Sequence, residues 1–364
     1  MKPGRLLLYA RAGFERECAQ EITEQAQHMG VEGFVKARPD SGFALFQPHQ
    51  DEMGAELGEH LEFRRLVFPR QVVRTGELIA DLTEGDRVTP IVAAARALGR
   101  RFSALWLETP DTNDGKALAS LIKPLTAHLE RGLRAAGIAI DDASAPERLH
   151  VFFVGGRACY VGLSDAANSA PWPMGIARLR MPRGAPSRST LKLAEALMAF
   201  LDERERGERL APGTTAVDLG AAPGGWTWQL VQRGMMVTAV DNGNMDAPLL
   251  ETGQVKHRRD DGFHYRPADP VDWMVCDMVE SPSRIARLAA RWIAEGWCRE
   301  SIFNLKLPMK KRWEEVVRCR DLIDEALGGA GYYLRMKQLY HDREEVTAYL
   351  SRRSRQSPTS RKGA

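Results

Sequence analysis

A glycine-rich turn in the second half of the chain constrains the fold most strongly. Residues 217–230 read VDLGAAPGGWTWQL, an apolar run that ends in a turn of small residues and continues into a helical pattern. Short apolar runs recur through this half of the chain between helical or polar segments, namely TAVDLGAA, MVTAVDN, VDWMVCDMV and SIFNLKLPM. This alternation is typical of an open, mostly parallel sheet with helices on both faces, so we predict a Rossmann-like α/β domain.

The first half of the chain has a different order of elements. Residues 1–80 predict a strand, a helix and two further strands at RLLLYA, FERECAQEITEQAQHMG, GFVKAR and GFALFQP. This β-α-β-β order resembles half of a ferredoxin-like unit. Residues 81–167 predict two helices and three strands at VTPIVAAARALG, SALWLET, GKALASLIKPLTAHLERGLRAAG, HVFFVG and ACYVGLS. The N-terminal region is therefore predicted to be α+β.

The composition changes between the two halves. Residues 168–188 combine prolines and arginines with little periodicity, so we predict a linker there. Residues 189–353 then form the α/β domain. It begins with one helix over STLKLAEALMAFLDERERG, capped by Ser189, and closes with an antiparallel hairpin over YYLRMKQLYHDREEVTAYLSRR. The polar tail 354–364 is predicted to be disordered.

Length and composition limit the class of protein. The chain has 364 residues, 44% of them hydrophobic, so two or three domains are expected. No apolar run is long enough to span a membrane, and a cytoplasmic protein is predicted. The five cysteines are scattered, with no spacing that indicates disulfides or a metal site. A net charge of +3 does not by itself indicate nucleic acid binding.

The residues of the turn disfavour a dinucleotide as its ligand. A glycine-rich turn after a strand lets a ligand approach the backbone at the carboxyl ends of the strands. Dinucleotide-binding turns read G-x-G-x-x-G, whereas residues 220–225 read GAAPGG. Pro223 also removes a backbone donor that a pyrophosphate would use. A dinucleotide-dependent dehydrogenase is therefore disfavoured.

Acidic residues recur at the ends of the predicted strands. Asp218 and Asp241 end the first two strands, RRDDG supplies Asp260 and Asp261, and Asp277 ends a later strand. One such aspartate is more often a turn or helix cap, but the repetition favours a cationic ligand. S-adenosylmethionine carries a sulfonium, an amino group and ribose hydroxyls, and it is the predicted cofactor. Its predicted binding residues are Ser189, Asp218, Gly220, Ala222, Pro223, Gly224, Gly225, Trp226, Asp241, Asp261 and Asp277.

The motif VDLGAAPGGWT resembles the first motif of the class I methyltransferases, in the form carried by the heat-shock-type ribosomal RNA 2'-O-methyltransferases. SRSTLKL, the Asp-Met after the fourth strand and the lysine of FNLKLPM match the same family. The whole chain resembles the RlmM family, which methylates a cytidine 2'-hydroxyl in the peptidyl-transferase region of bacterial 23S ribosomal RNA. The resemblance implies a seven-stranded methyltransferase sheet, a THUMP-like RNA-binding domain at 81–167, and 23S RNA or a large-subunit precursor as partner.

The resemblance also implies a catalytic tetrad of Lys192, Asp277, Lys306 and Glu345, with Glu344 as the alternative to Glu345. A ribose hydroxyl is a weak acid, so methyl transfer requires a base, and Lys306 is the predicted base. We expect burial and the charge of Lys192 to lower the pKa of Lys306. Taken singly, each residue is more often an ordinary surface residue, so the prediction depends on all four together.

Other methyl acceptors are disfavoured by the residues at and after the end of the fourth strand. Base amino methylation typically accompanies an Asn/Asp-Pro-Pro-aromatic motif, but the stretch here is DMVESP, with Met278 and Val279 in place of the prolines. Cytosine C5 methylation requires a cysteine nucleophile, and Cys276 instead lies within a strand. We predict that Cys276 is a buried small apolar residue.

Basic residues flank the proposed site and are predicted to contact RNA, namely Arg178, Arg180, Arg183 and Arg188 in the linker and Lys310 and Lys311 after the fifth strand. Solvated surface charge is the alternative, above all for the second cluster. A monomer that binds neither DNA nor membranes, and that needs no metal, is expected. The competing hypothesis is a noncatalytic RNA-binding protein that keeps a methyltransferase-like scaffold.

Overall fold

The structure is a computed structural model that describes residues 3–328 and 331–352. The chain divides into two compact units, Met1–Ala177 and Arg178–Ala364. Each unit is built around its own seven-stranded sheet. The predicted disorder of the tail 354–364 lies outside the described residues.

The first unit consists of seven strands and four α-helices within the described residues. The strands are β1 (Arg5–Tyr9), β2 (Gly33–Ala37), β3 (Phe43–Pro48), β4 (Gln71–Thr75), β5 (Leu105–Glu108), β6 (Glu147–Gly155) and β7 (Ala158–Asp165). The helices are α1 (Glu15–His28), α2 (Asp51–His60), α3 (Val88–Leu98) and α4 (Asn113–Ala135). Every strand and helix predicted in this half of the chain is confirmed.

The N-terminal part has the complete β-α-β-β-α-β order of a ferredoxin-like fold, of which the sequence predicted only the first half. Helix α2 was missed because it contains Gly54 and Gly58, which are unfavourable in an isolated helix. A Cβ at Gly54 would lie 2.1 Å from the carbonyl oxygen of Gly4, and one at Gly58 would lie 2.8 Å from Arg74. Close packing on the sheet therefore requires glycine at both positions.

The remaining strands of the first unit extend the same sheet. The strand order is β2-β3-β1-β4-β7-β6-β5, and β4 joins β7 through the pairs Arg74–Leu163 and Thr75–Gly162. The regions 1–80 and 81–167 therefore share one sheet. The boundary between them, and the THUMP-like character of the second, remain predictions.

The second unit consists of seven strands and six helices within the described residues. The strands are β8 (Thr215–Leu219), β9 (Met236–Val240), β10 (Val255–Arg258), β11 (Val271–Cys276), β12 (Cys298–Lys306), β13 (Tyr333–Lys337) and β14 (Glu345–Ser351). The helices are α5 (Thr190–Phe200), α6 (Glu203–Arg209), α7 (Gly225–Val231), α8 (Ala247–Glu251), α9 (Pro282–Ala294) and α10 (Arg312–Leu327). The predicted strands and the closing hairpin are confirmed, and β10 is an additional short strand.

The second sheet has the order β10-β9-β8-β11-β12-β14-β13. Strands β8 to β12 are parallel to one another, whereas β14 is antiparallel to both β12 and β13. The predicted Rossmann-like, mostly parallel seven-stranded sheet is confirmed. The strand order reverses at β8, between β9 and β11, and ligands of such sheets bind at the carboxyl ends of the strands beside this reversal.

The helix predicted over STLKLAEALMAFLDERERG was wrong as a single element. Helix α5 ends at Phe200, Leu201 is extended, and Asp202 starts α6 through a capping box with Glu205. The capping box satisfies helix-end amides that a continuous helix would not expose. Helix α5 packs its apolar side chains, among them Leu193 and Leu197, into the apolar core of the second unit.

Candidate active site

Four charged side chains from four elements meet at the carboxyl edge of the second sheet. Lys192 lies in the first turn of α5, Asp277 follows β11, Lys306 ends β12 and Glu345 begins β14. Strands β12 and β14 pair in a register that places Lys306 opposite Glu345. The structure thus brings together all four members of the predicted tetrad.

Each ammonium of this group bridges both carboxylates. Nζ of Lys306 lies 2.6 Å from Oδ1 of Asp277 and 2.9 Å from Oε1 of Glu345. Nζ of Lys192 lies 2.6 Å from Oε2 of Glu345 and 3.4 Å from Oδ2 of Asp277. The four side chains are 13–21% exposed. Lysines and carboxylates therefore alternate in a charged ring (Lys192, Asp277, Lys306, Glu345) that solvent can still reach.

The glutamate of the ring is Glu345 and not Glu344. The carboxylate of Glu344 is 53% exposed and accepts a hydrogen bond from Nη2 of Arg312 at 2.6 Å. Glu344 precedes β14, whereas Glu345 is its first residue and contacts both Lys192 and Lys306.

The pKa of Lys306 is shifted in the direction opposite to the one predicted. Burial lowers this pKa, but the charges of Asp277 and Glu345 and the hydrogen bonds to them outweigh burial and raise the pKa above its ordinary value. The prediction was wrong because it weighed the like charge of Lys192 and not the two nearer carboxylates. Lys306 is therefore protonated at neutral pH, and its unprotonated form is scarce but strongly basic.

Asn304 joins the ring and was not predicted. Its Nδ2 donates to Oδ1 of Asp277 at 2.9 Å and to Oε2 of Glu345 at 3.1 Å. Asn304 lies two residues before Lys306 on β12 and is fully buried. A polar amide inside the apolar run SIFNLKL is the sequence feature that could have identified it, since a buried amide requires partners.

The glycine-rich turn combines left-handed backbone with close packing. Gly220 has φ +76° and Gly224 has φ +118°, a region that favours glycine. A Cβ at Gly225 would lie 2.2 Å from Oγ of Ser189, so this glycine leaves room for the segment before α5. Ser189 directly precedes α5, but its hydroxyl makes no cap hydrogen bond and lies 2.6 Å from Oγ of Ser187. The predicted side-chain cap was therefore wrong.

Three of the predicted carboxylates follow strands of the second sheet, at its carboxyl edge. Asp241 follows β9, and its two oxygens accept the amides of Ala222 at 3.0 Å and Gly243 at 2.6 Å. Asp261 follows β10 and is exposed, whereas Asp241 and Asp277 are half-buried. Each ionised carboxylate has about four acceptor sites, so all three retain acceptor capacity toward a ligand.

Two of the predicted cofactor residues lie behind the turn. Asp218 is 1% exposed, and its Oδ2 accepts the hydroxyl of Thr227 at 2.7 Å. Trp226 is 2% exposed and packs in the apolar core with Leu230. Burial raises the pKa of Asp218 to about 7, hydrogen bonds from Thr227 oppose the shift, and the charge of Asp277 adds to it.

The raised pKa of Asp218 predicts a stability that falls with rising pH. Between about pH 4 and 7 the folded protein holds a proton on Asp218 that the unfolded chain has lost, so this contribution disappears as pH rises through the folded pKa. We expect Asp218→Asn to remove a fall of about 2 kcal/mol in the free energy of unfolding between pH 5.5 and 8. Urea titrations at both pH values measure this difference. Equal pH dependence of variant and wild type would contradict the assignment.

The six basic residues predicted to contact RNA are all exposed, namely Arg178, Arg180, Arg183, Arg188, Lys310 and Lys311. Two large apolar side chains beside the ring were not predicted. Val279 is 91% exposed and Met309 is 82% exposed. Val279 is two residues from Asp277 and Met309 three from Lys306, so both lie within about 11 Å of the ring along the chain.

Three further features are Cys276, candidate metal ligands and candidate membrane-spanning helices. Cys276 is 1% exposed, and burial raises the pKa of its thiol to about 12, so the prediction of a buried apolar residue is confirmed. Over residues 3–328 and 331–352, no three His, Cys, Asp or Glu side chains cluster as a metal site. In the same part of the chain, no helix is long and apolar enough to cross a membrane.

Comparison with known proteins decides the family. The chain is 53% identical over 352 residues to Ribosomal RNA large subunit methyltransferase M of Methylococcus capsulatus, across 96% of this chain and 98% of that protein. The chain belongs to the RlmM family. The RlmM relative from Thauera aminoaromatica is 50% identical over 347 residues, and the one from Pseudomonas fluorescens is 50% identical over 357 residues. These matches cover 95% of both chains in the first case, and 98% of this chain and 99% of that protein in the second.

Family descriptions match three parts of the chain. They are the RlmM ferredoxin-like domain at residues 3–73, the N-terminal domain of Ribosomal RNA large subunit methyltransferase M at 86–165, and the FtsJ-like methyltransferase at 185–329. The predicted resemblance to the RlmM family is confirmed. Among solved structures, TrmN from Thermus thermophilus is 15% identical with a TM-score of 0.34 across 95% of this chain and 99% of that chain. The family assignment therefore depends on the sequence matches alone.

Proposed function

We propose that the protein transfers the methyl group of S-adenosylmethionine to the 2'-hydroxyl of a cytidine in bacterial 23S ribosomal RNA. The charged ring at the carboxyl edge of a methyltransferase-type sheet is the observation that supports this chemistry. The relatives are named as large-subunit ribosomal RNA methyltransferases, which supports the substrate class. The cytidine and its 2'-hydroxyl come from the family resemblance and the tetrad, and they are the part of the proposal to be tested.

The residues around the turn fit S-adenosylmethionine. Asp241 and Asp261 offer carboxylate oxygens to hydroxyl and amino groups, and Asp277 offers negative charge to a sulfonium. Gly220, Ala222 and Pro223 line the accessible side of the turn. Asp218 and Trp226 support the turn from behind. Ser189 and Gly225 hold it against the start of α5, and Gly224 packs it against Leu249 of α8. When bound, the donor supplies an electrophilic methyl group.

The ring supplies the proton acceptor for the ribose hydroxyl. With donor and RNA bound, unprotonated Lys306 would accept the 2'-hydroxyl proton while the oxygen bonds to the methyl carbon and the methyl–sulfur bond of the donor breaks, which leaves the donor as a neutral thioether. Asp277 and Glu345 would stabilise the resulting ammonium. Lys192 holds both carboxylates from the opposite side and keeps the ring neutral. Because the pKa of Lys306 is raised, the rate should increase with pH through the neutral range.

Asp241 gives a test of the donor site. Asp241→Asn keeps the size of the side chain but removes the charge, and we expect the affinity for S-adenosylmethionine to fall on the order of 10-fold because a charged acceptor is lost. Calorimetric titration measures the change. Asp246→Asn, in the same loop, is the matched control and should bind normally. Unchanged binding by the Asp241 variant would contradict this placement.

RNA is proposed to reach the ring across the exposed basic residues. Arginines at 178, 180, 183 and 188 and lysines at 310 and 311 supply phosphate contacts. Val279 and Met309 present apolar surface at the mouth of the site, where exposed apolar groups mark contact surfaces. These two side chains are suited to pack against bases splayed out of a helix, as single-stranded RNA recognition requires. The N-terminal unit, with its THUMP-like region 81–167, is proposed to add RNA contacts.

The lysine pair Lys310 and Lys311 gives a test of the RNA surface. Their double alanine variant should weaken RNA binding and reduce the slope of log affinity against log salt by about 1.4, since single strands lose about 0.7 per neutralised phosphate. Filter binding at several salt concentrations measures the slope. Lys256→Ala, an exposed lysine on β10, is the matched control. An unaltered slope in the double variant would assign both lysines to the solvated surface.

The proposed RNA partner is tested together with the activity. We propose a cytoplasmic monomer that acts on 23S RNA or a large-subunit precursor. Labelled S-adenosylmethionine would be incubated with the protein and 23S RNA from cells that lack this methyltransferase, with 16S RNA from the same cells as control. Label in 23S RNA alone is expected. Absence of label from 23S RNA, and from large-subunit precursors isolated from the same cells, would favour the noncatalytic scaffold.

A further inference from the structure

A line of buried polar side chains runs from the charged ring into the second unit. Asn304, Thr347 and Asp342 are 0–1% exposed. Asn304 lies two residues before Lys306 on β12, and Thr347 lies two residues after Glu345 on β14, so each shares a face with a ring member. The strand register pairs Asn304 with Thr347, two positions along the ladder from the pair of Lys306 with Glu345.

The amide of Asn304 has one orientation that satisfies all of its neighbours. Its Nδ2 donates to Asp277 and Glu345, and its Oδ1 accepts the hydroxyl of Thr347 at 2.8 Å. The flipped amide would place its carbonyl oxygen against two carboxylates and its amino group against the hydroxyl. That arrangement loses two charge-assisted hydrogen bonds and costs about 1.5–3 kcal/mol for each. The amide of Asn304 therefore has a fixed orientation, with its amino group bound to both carboxylates.

The orientation of the Asn304 amide determines how the protons of Thr347 and Asp342 are arranged. Thr347 has one hydroxyl proton, which it donates to Asn304. Oγ1 of Thr347 also lies 3.2 Å from Oδ1 and 3.0 Å from Oδ2 of Asp342, so a hydrogen bond between them requires a proton from Asp342. Because Oδ2 accepts the amide of Leu339 at 3.0 Å, we assign the proton of the protonated form to Oδ1.

The surroundings of Asp342 favour this protonated form. Burial raises the pKa of Asp342 well above its ordinary value, the Leu339 amide opposes the shift, and the charges of Glu345 and Glu195 raise the pKa further. The lysines of the ring are held by Asp277 and Glu345 and not by Asp342. Protonated Asp342 leaves every group of the line with a partner.

We propose that Asn304, oriented by Thr347 and Asp342, is a positioning residue that holds the carboxylates of Asp277 and Glu345 in the geometry that aims Lys306. This inference rests on the proposed ribose methylation, because it assigns a role within the same site. Without the amide of Asn304, the lysines alone would hold the two carboxylates, and Nζ of Lys306 would lose its fixed direction. A displaced base slows the chemical step and leaves the binding of donor and RNA intact.

The test compares variants that keep or remove single donors of the line. Asn304→Ala removes the amide that binds both carboxylates. Thr347→Val removes the hydroxyl group at nearly constant side-chain volume. Thr347→Ser keeps the hydroxyl, and Asp342→Asn keeps a donor toward Thr347 and an acceptor for the Leu339 amide. Rates at saturating S-adenosylmethionine and RNA would be measured from pH 6 to 10, with KM, donor affinity and melting temperature for each variant.

Asn304→Ala and Thr347→Val should lower kcat on the order of 10- to 100-fold, as is typical when a supporting hydrogen bond is lost, with KM and donor affinity unchanged. Asn304→Ala should also move the rate profile to higher pH, because carboxylates without amide donors hold the Lys306 proton more strongly. Thr347→Ser and Asp342→Asn should retain the wild-type rate. Either a wild-type rate for Thr347→Val or an equal loss for Thr347→Ser would overturn the inference. Absence of transfer by the wild type would contradict the proposed function instead.

Discussion

Replacement of Lys306 by alanine should lower kcat on the order of 1000-fold while S-adenosylmethionine binds as before, because a positioned base contributes about 100- to 10,000-fold. The variant removes the only ring nitrogen proposed to accept the hydroxyl proton. Donor binding is expected to persist because it depends on Asp241, Asp261 and the turn. Single-turnover methyl transfer and calorimetric donor titration measure the two quantities separately.

Lys306→Arg separates the base from a merely structural cation. Arginine keeps the positive charge between Asp277 and Glu345, but its pKa above about 12 prevents it from accepting a proton at working pH. We expect Lys306→Arg to be as slow as Lys306→Ala. An arginine variant with near wild-type activity would mean that Lys306 only balances the carboxylates, and the base would have to be sought elsewhere.

Replacement of Glu345 should give the second large loss of activity. Glu345→Gln should lower kcat on the order of 100-fold, because Lys306 and Lys192 each lose a charged partner and the ring loses its alternation. The pKa of Lys306 should also fall, because the charge of Glu345 helps to raise it. The residual activity is then expected to have a rate profile shifted to lower pH.

Glu344→Gln is the matched control for this experiment. It removes the same charge one residue away, but it breaks only the exposed contact with Arg312. Exposed ion pairs contribute about 0–1 kcal/mol to stability, so rate and profile should stay close to wild type. Equal losses in both variants would indicate a general effect of charge near the site and would contradict the specific role of Glu345.

The sequence predicted the second unit well because its main features are local. Apolar runs punctuated by the glycine-rich turn indicate the strands, and each ring residue lies at or beside the end of a strand or helix. Parallel strands end at one edge of a sheet, which is why Asp277 and Lys306 lie near one another in the structure. The resemblance to a known family supplied the register that distinguishes Glu345 from an ordinary strand-edge glutamate.

The features that were missed depend on neighbours far away in sequence. The shift in the pKa of Lys306 is set by distances of 2.6 Å and 2.9 Å to two carboxylates, which spacing along the chain does not reveal. Asn304 looks like an isolated polar residue in an apolar strand until β14 brings Thr347 opposite. Helix α2 contains two glycines that only its packing explains. In each case tertiary contacts override the local pattern.

The position of the transferred methyl group tests ribose methylation most directly. The wild-type protein would be incubated with methyl-labelled S-adenosylmethionine and 23S RNA from cells that lack the enzyme, and the RNA digested to nucleosides and separated. Label in 2'-O-methylcytidine, and none with Lys306→Ala although this variant still binds the donor, is the result that we predict. Label on a base, or on the ribose of another nucleoside, would contradict the proposed reaction.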